Sequence, residues 1–263
     1  MSEFLLYMLA GAGVGFAIGL TGVGGGSLMT PLLLLFGFPA PVAVGTDLLY
    51  AALTKAGGVI SHHRRGNVEW HIVAKLAAGS LPVSILLHVF LRQSGFHEQD
   101  GFAELLTSSL GIMLIITAII LILRDKIRME AVKPESGALM QLIHDKQTAS
   151  TVMMGVVLGI CVTLSSVGAG AFGAAILLVI YASKPAIRII ATDVAHAVPL
   201  TLIAGLGYLA GGYVDGVLLA SLLAGSLPAI QLGTHVSSNV PERVLQRLLI
   251  ALLLILGMNY AFL

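Results

Sequence analysis

The stretch Gly79-Ser80-Leu81-Pro82 occurs twice in this chain, and its second copy is Gly225-Ser226-Leu227-Pro228. The copies are 146 residues apart, and the same spacing relates Thr46-Asp47 to Thr192-Asp193 without a gap. Further matches at this spacing join Pro39-Ala40 to Pro185-Ala186, Gly22 to Gly168, Gly24 to Gly170 and Gly66 to Gly212. A duplication of this extent predicts two halves with the same order of structural elements.

The composition is that of a membrane protein. Hydrophobic residues make up 57% of the chain and charged residues 10%, whereas roughly a quarter of the residues of a soluble domain are charged. Apolar runs such as 106–123 are long enough to cross a bilayer. In this class of protein, two matched halves with interrupted hydrophobic segments are the usual build of a secondary transporter.

Charge and cysteine content exclude several other functions. The net charge of +1 gives no basic or acidic surface for binding nucleic acid. Cys161 is the only cysteine, which excludes an internal disulfide and a cysteine-built metal site. The adjacent His62 and His63 have no further ligands nearby in the sequence, so we expect no metal site and no cofactor.

The alternation of apolar and polar stretches predicts an all-α polytopic membrane protein. We expect two inverted repeats, each a broken or re-entrant helix hairpin followed by three transmembrane helices. Residues 1–124 form the first membrane repeat, 125–147 a cytoplasmic linker and 148–263 the second repeat, and together they make one transport domain. The predicted apolar segments are 4–20, 27–37, 41–61, 68–91 and 104–124, then 149–164, 171–182, 186–209, 215–235 and 243–262.

Two topologies are compatible with the glycine-rich break at 21–26. If 4–37 is one broken span, each half has four spans and the halves run parallel. If 4–20 and 27–37 form a hairpin that enters and leaves on one side, each half has three full spans besides the hairpin, and the second half is inverted. The inverted arrangement puts the Lys and Arg residues of the loops on the cytoplasmic side, with only Arg92 outside, as the positive-inside rule favours.

Two glycine- and serine-rich breaks, at 21–26 and 165–170, are candidate substrate sites. Glycine at this density opens a helix, and irregular backbone at membrane depth is tolerated only where protein or a watery cavity satisfies it. The helix that restarts after each break would point its N-terminus at a bound anion. The alternative is close helix packing, which we assign to Gly11, Gly15 and Gly19. The substrate-binding candidates are Thr21, Gly22, Gly24, Gly25, Gly26, Ser27, Thr46, Lys55, Ser165, Ser166, Gly168, Gly170 and Thr192.

Ionisable residues also lie inside the apolar segments. Asp47 and Asp193 are related by the repeat, Lys55 follows Asp47 by two turns, and His196 follows Asp193 by one turn. Carboxylates at membrane depth are costly and mark function by default. We therefore expect Asp47, Asp193 and His196 to couple transport to protons or ions, and Lys55 to bind the anion. The alternative is that both carboxylates serve in buried salt bridges or as helix caps.

Two other classes of function fit parts of the sequence. A membrane hydrolase would need Ser165 or Ser166 beside His196, but the sequence lacks a Gly-x-Ser-x-Gly elbow and an evident third group. We therefore expect no catalytic residues and no enzyme. A passive selective anion channel would explain the glycines but not the duplicated aspartates, and it stays the alternative to a transporter.

Several motifs form a specific combination, namely Gly19-Leu20-Thr21-Gly22-Val23-Gly24-Gly25-Gly26, the stretch from Pro39 to Thr46, Arg64-Arg65-Gly66-Asn67-Val68-Glu69-Trp70, Ala191-Thr192, and Pro241-Glu242-Arg243-Val244-Leu245. Together they resemble the sulfite exporter TauE/SafE family. The resemblance covers about residues 5–260. It implies a multi-pass protein of the bacterial or archaeal cytoplasmic (inner) membrane that moves sulfite, organosulfonates or related organosulfur anions, often outward.

The resemblance also bears on site residues and coupling. It puts the family's repeat motifs on the two breaks and on Thr46 and Thr192. Many members have a small polar residue after that threonine, whereas this chain has Asp47 and Asp193, and the added carboxylates favour proton or cation coupling. The expected partners are a small anionic substrate and the lipid bilayer, without nucleic acid and with a homodimer as one possible assembly.

Overall fold

The computed structural model describes residues 2–21, 28–95, 101–132, 146–168, 170–237 and 242–261. The predicted all-helical fold is confirmed, and no strand occurs in these ranges. The helices that they contain are α1 (Ser2–Thr21), α2 (Met29–Leu35), α3 (Ala40–Arg64), α4 (Trp70–Gln93), α5 (Gly101–Val132), α6 (Gln147–Ser165), α7 (Ala171–Ile180), α8 (Ala186–Ala210), α9 (Gly216–Ser237) and α10 (Glu242–Ala261).

Six of the described helices are long and apolar enough to cross a membrane, namely α1, α4, α5, α6, α8 and α9. Helix α3 has 25 residues, which is also enough to span, but Asp47, Lys55 and its basic end make it more polar. Large apolar side chains such as Leu86, Phe90 and Ile255 are exposed on the helices, as expected of surfaces that face lipid tails. The chain is therefore a multi-pass membrane protein.

The predicted segments agree with the helices to within a few residues, except at the linker. Helix α5 continues to Val132, so the first part of the stretch predicted as linker, 125–147, is helical. Residues 125–132 include Lys, Arg, Met, Glu and Ala, which are strong helix formers and allow the helix to continue beyond its apolar run. Residues 133–145 lie outside the described ranges.

In each half, the first helix and the short helix after it form a hairpin. The ring of Tyr7, near the start of α1, packs against Phe36 and Phe38 just after α2, at centroid distances of 6.3 and 5.5 Å. In the second half, the hydroxyls of Thr151 in α6 and Tyr181 after α7 are 2.9 Å apart. After each break the chain therefore returns to the end at which the hairpin began, and it does not continue as one broken span.

The two halves interlock through reciprocal helix pairs, because α1 packs along α9 and α4 packs along α6. A Cβ atom on Gly15 of α1 would lie 2.6 Å from Cα of Ser226. One on Gly159 of α6 would lie 3.0 Å from Cα of Ser80. Small residues let the helix backbones approach this closely. The packing role predicted for the glycines of the first segment is confirmed.

These contacts also show where the two repeats differ in length. Ser80 and Ser226 are 146 residues apart, whereas their partners Gly15 and Gly159 are 144 residues apart. The other glycine contacts of these helix pairs, Gly11 with Leu222 and Gly155 with Leu76, show the same difference. Helix α6 is therefore displaced by two residues from the gapless alignment, and the second half contains two extra residues between its first helix and α8.

The centre of the fold is the antiparallel pair of α3 and α8. Gly45, near the start of α3, faces the side chain of Tyr208 near the end of α8, and Gly205 faces Leu49. Helices α5 and α10 also run antiparallel, since Gly111 near the start of α5's apolar run meets the end of α10. The buried core draws side chains from both halves, so the central pair lies where the two halves meet.

Candidate functional site

Asp47 is fully buried in α3 and caps the short helix α2. Its Oδ2 atom accepts hydrogen bonds from the Thr30 backbone N–H at 3.2 Å and from the Thr30 hydroxyl at 2.5 Å. The first N–H groups of a helix lack partners within it, so a carboxylate here stabilises the start of α2. The Oδ1 atom has no hydrogen-bond partner among the described residues. Asp47 thus caps α2 and not α3, the helix whose start it lies near, and its second carboxylate oxygen takes no part in the cap.

Asp193 occupies the corresponding place in the second half. It is fully buried in α8, and its carboxylate faces the backbone N–H groups of Gly170 and Ala174 around the start of α7. A Cβ atom on Gly173 would overlap Asp193 Oδ1, so this approach requires glycine. Neither carboxylate oxygen forms a hydrogen bond of good geometry with a described residue. The protein's own carboxylates therefore stand at the helix starts where the sequence predicted a bound anion.

Two polar pairs join the halves one turn further along α3 and α8. His196 Nε2 lies 2.8 Å from the hydroxyl oxygen of Ser80 in α4. Tyr50, the repeat equivalent of His196, directs its hydroxyl toward Ser226 of α9. All four residues are buried. Each copy of Gly-Ser-Leu-Pro therefore supplies one serine to the interface between the halves.

Sequence reasoning did not select Tyr50, Ser80 or Ser226 for the site. The spacing of the repeat could have identified these residues. It aligns Tyr50 with His196 and Ser80 with Ser226, and each aromatic member follows a buried aspartate by one helical turn.

Lys55 lies within electrostatic reach of both carboxylates. Its side chain is 6% exposed and interacts electrostatically with Asp47, Asp193 and His196. The antiparallel register of α3 and α8 puts it near the middle of both helices. The equivalent position in α8 is Thr201, whose hydroxyl donates to its own helix backbone. Among the side chains that the structure describes, Lys55 is the one buried Lys or Arg.

The tip of the second hairpin contributes Ser166 to the group of buried residues around Asp47. Ser166 is buried and has a positive φ of 57°. Its hydroxyl faces the Asp47 carboxylate without a well-formed hydrogen bond. Ser165 is held by its own helix, because its hydroxyl donates to a backbone carbonyl of α6 at 2.6 Å. Gly168 and Gly170 have φ values of 126° and 129°, a backbone conformation that glycine adopts without steric cost.

The remaining substrate-binding candidates fall into two groups. Gly22, Gly24, Gly25, Gly26 and Ser27 lie outside the described residues, and only the backbone of Thr21 is described. Thr46 and Thr192 are buried and connect the halves. The hydroxyl of Thr192 accepts a hydrogen bond from the Glu69 N–H at 3.0 Å, and that of Thr46 accepts one from the Asp215 N–H at 3.4 Å. Both hydroxyls thus accept hydrogen bonds from backbone N–H groups just before α4 and α9.

An ion-pair cluster lies at one end of the interface between the halves. Glu69 Oε1, just before α4, is 3.0 Å from Lys184 Nζ and 3.2 Å from Arg188 Nη1. The hydrogen bond from Lys184 is the main reason that the pKa of Glu69 is lowered from its usual value. At the repeat-equivalent position, Asp215 caps its own helix α9 instead. The two ends of the interface therefore differ in charge.

We expect Glu69→Gln to lower the thermal stability of the protein in detergent at pH 7. The lowered folded-state pKa means that these ion pairs stabilise the fold above the unfolded-state pKa of about 4.3. That contribution is lost as the pH falls through the folded-state pKa. The expected loss at pH 7 is ~1 kcal/mol, or a few °C in Tm, and thermal scans at pH 7 and at acidic pH measure it.

Glu104→Gln is the matched control, because Glu104 is exposed at the start of α5. Its Tm should follow that of the wild type at both pH values. Equal Tm values for Glu69→Gln and wild type at pH 7, or a difference that grows on acidification, would contradict the assignment.

The fold and the site together define a class of protein. The described residues include six helices that are long and apolar enough to cross a membrane, two interlocked halves and buried ionisable residues between them, which are features of a membrane transporter. The chain belongs to the sulfite exporter TauE/SafE family, whose sequence profile matches residues 7–260.

Curated relatives are similar over nearly their whole length. The probable membrane transporter protein YjnA of Bacillus subtilis is 38% identical over 256 residues, covering 96% of this chain and 97% of the relative. YdhB, also a probable membrane transporter of Bacillus subtilis, is 29% identical with 89% and 90% covered. The probable membrane transporter protein MJ0441 of Methanocaldococcus jannaschii is 28% identical with 97% and 96% covered. No solved structure matches the chain significantly.

Proposed function

We propose that the protein is a proton-coupled secondary transporter that exports small sulfur-containing oxyanions, such as sulfite or organosulfonates. The observation that carries the proposal is the buried Lys55, flanked by Asp47 and Asp193 near the middle of the central helix pair. Ionisable residues at membrane depth mark substrate and ion pathways. Here a substrate anion and two carboxylates compete for one cation.

The chemistry of the cluster suits an oxyanion. The ammonium of Lys55 has three N–H donors, and the hydroxyl of Ser166, which faces Asp47, is a further donor. Hydrogen bonds from a charged donor to an anionic oxygen are stronger than those between neutral groups. The glycine-rich tips at 21–27 and 165–170 remain proposed binding elements around this cation. The description of the family supports sulfite as a substrate and the outward direction.

The proton-carrying role falls to Asp47 and Asp193, and the ring of His196 supports the site through its contact with the Ser80 hydroxyl. When a carboxylate takes up a proton, it no longer competes for Lys55, and the ammonium becomes available to the substrate. When the carboxylate loses the proton, it pairs with Lys55 again and displaces the anion. Binding of substrate and of proton would thus depend on each other.

Alternating access would come from movement of one half against the other. The antiparallel pairing of α3 with α8 and of α5 with α10, which are equivalent helices of the two halves, supports an inverted repeat. The Glu69 cluster would close the cytoplasmic end in this conformation, since Arg64, Lys184 and Arg188 lie at that end and the positive-inside rule assigns it to the cytoplasm.

The test is uptake of radiolabelled sulfite into sealed liposomes that contain the purified protein, with and without an imposed pH gradient. We expect accumulation that follows the pH gradient and is absent from protein-free liposomes. Flux that only equilibrates sulfite would support the alternative, a passive selective anion channel. Failure of both sulfite and short alkylsulfonates to cross would contradict the proposed substrate class.

A further inference from the structure

We propose that the site takes a singly charged oxyanion together with one proton, so that each transport step carries no net charge. This inference deepens the proposed function and rests on it. It follows from the charges that the structure buries between α3 and α8, and it distinguishes sulfonates and hydrogensulfite from doubly charged anions such as sulfate.

Few of the described ionisable residues are buried between α3 and α8. Among the described side chains, the buried ionisable residues other than tyrosines are Lys55, Asp47, Asp193 and His196. The neighbouring helices contribute neutral hydroxyls, among them Thr30 from α2, Ser80 from α4 and Ser226 from α9, together with Ser166 after α6. Tyr50 of α3 adds another hydroxyl. The described side chains therefore contribute one buried positive charge and at most two buried negative charges.

Neutrality decides how these groups are protonated. A buried net charge is strongly unfavourable, so the site without substrate is balanced when Lys55 and one carboxylate are charged and the other carboxylate holds a proton. When a singly charged anion binds Lys55, balance requires a proton on both Asp47 and Asp193. Loading thus transfers one proton from water to a carboxylate oxygen for each anion, and the reverse occurs on release.

His196 does not provide a second proton site. Its Nε2 atom pairs with the Ser80 hydroxyl at 2.8 Å, and its Nδ1 atom is buried without a hydrogen-bond partner among the described residues. A doubly protonated ring would place a buried N–H without an acceptor and a positive charge near Lys55. With two carboxylates and a neutral histidine, the site cannot balance a doubly charged anion.

The test measures stoichiometry in sealed liposomes that contain the full-length protein. Labelled methanesulfonate is the singly charged probe and labelled sulfate the doubly charged one, with an internal pH dye reporting protons and a potassium ionophore setting the membrane potential. We expect one proton per methanesulfonate, the same rate at zero and at inside-negative potential, and sulfate flux at least about 100-fold slower because a buried charge stays unbalanced.

The double variant Asp47→Asn/Asp193→Asn removes both proton sites and keeps Lys55. Its residual methanesulfonate flux should move no protons and should respond to the membrane potential. Glu104→Gln, an exposed carboxylate, is the control and should behave as the wild type. If the double variant does not fold, the wild-type ratio decides alone.

Several results would overturn the inference and leave a transporter in place. They are a ratio other than one proton per anion, wild-type flux that responds to the potential, sulfate carried as fast as methanesulfonate, or sulfite carried without methanesulfonate. Absence of flux for every anion, with a folded and reconstituted protein, would instead overturn the proposed function itself.

Discussion

Replacing Lys55 with methionine is expected to reduce anion transport by at least about 100-fold while the protein still folds. Lys55 is the buried cation of the described site, and without it the substrate would enter a cluster that holds only carboxylates. Truncating one partner of a buried charge pair in a binding site costs about 2–5 kcal/mol of binding free energy, and the middle of that range corresponds to a factor of more than about 100. Methionine keeps the aliphatic volume, and the two carboxylates can become neutral by taking up protons.

The measurement is the initial rate of sulfite flux in liposomes, normalised to the amount of folded protein. Lys75→Met is the matched control, because Lys75 donates a hydrogen bond to Thr148 at 2.9 Å and lies outside the buried cluster. Its rate should stay within about twofold of wild type, as expected for a surface contact. Equal rates for Lys55→Met and Lys75→Met would remove Lys55 from the substrate path.

Gly15→Val is expected to destabilise the fold strongly. A Cβ atom at this position would lie 2.6 Å from the Cα and carbonyl oxygen of Ser226 in α9. Backbone atoms cannot rotate away as a side chain can, so α1 and α9 would have to separate. Overpacking in a core costs about 1–3 kcal/mol or more, and we expect a large loss of folded protein in detergent or a Tm lower by 5 °C or more, on the order of that cost.

Gly13→Val is the control on the same helix. Gly13 is exposed, and a Cβ atom there would meet nothing within 4 Å. Both variants add the same side chain to α1, so helix propensity is matched and only the contact with α9 differs. Size-exclusion profiles and thermal scans of the two variants compare them, and equal behaviour would show that α1 does not pack on α9 through Gly15.

Much of the fold could be predicted because the composition and length of apolar segments indicate membrane helices. The ends of the helices followed from apolar runs and prolines, and α3 and α8 begin directly after Pro39 and Pro185. The continuation of α5 to Val132 could not be read from hydropathy, because a helix that leaves the bilayer is polar. The two-residue displacement of α6 also escaped the gapless alignment, since only contacts with the partner helix reveal it.

The site was predictable in its residues more than in its geometry. Asp47, Asp193, Lys55 and His196 were selected because charge at membrane depth is rare, and the structure brings all four together. The sequence could not show that the aspartates stand at the starts of α2 and α7, where an anion was expected. That position depends on how each hairpin folds back onto the next helix, which is a long-range contact such as Thr30 with Asp47.

The central claim is that the substrate binds at Lys55 between the two halves, and calorimetric titration of the purified protein with sulfite and methanesulfonate tests it most directly. We predict saturable binding to one site per chain for the wild type and for Lys75→Met, and no measurable binding to folded Lys55→Met. Binding of the same affinity and stoichiometry to Lys55→Met would contradict the account and place the site elsewhere.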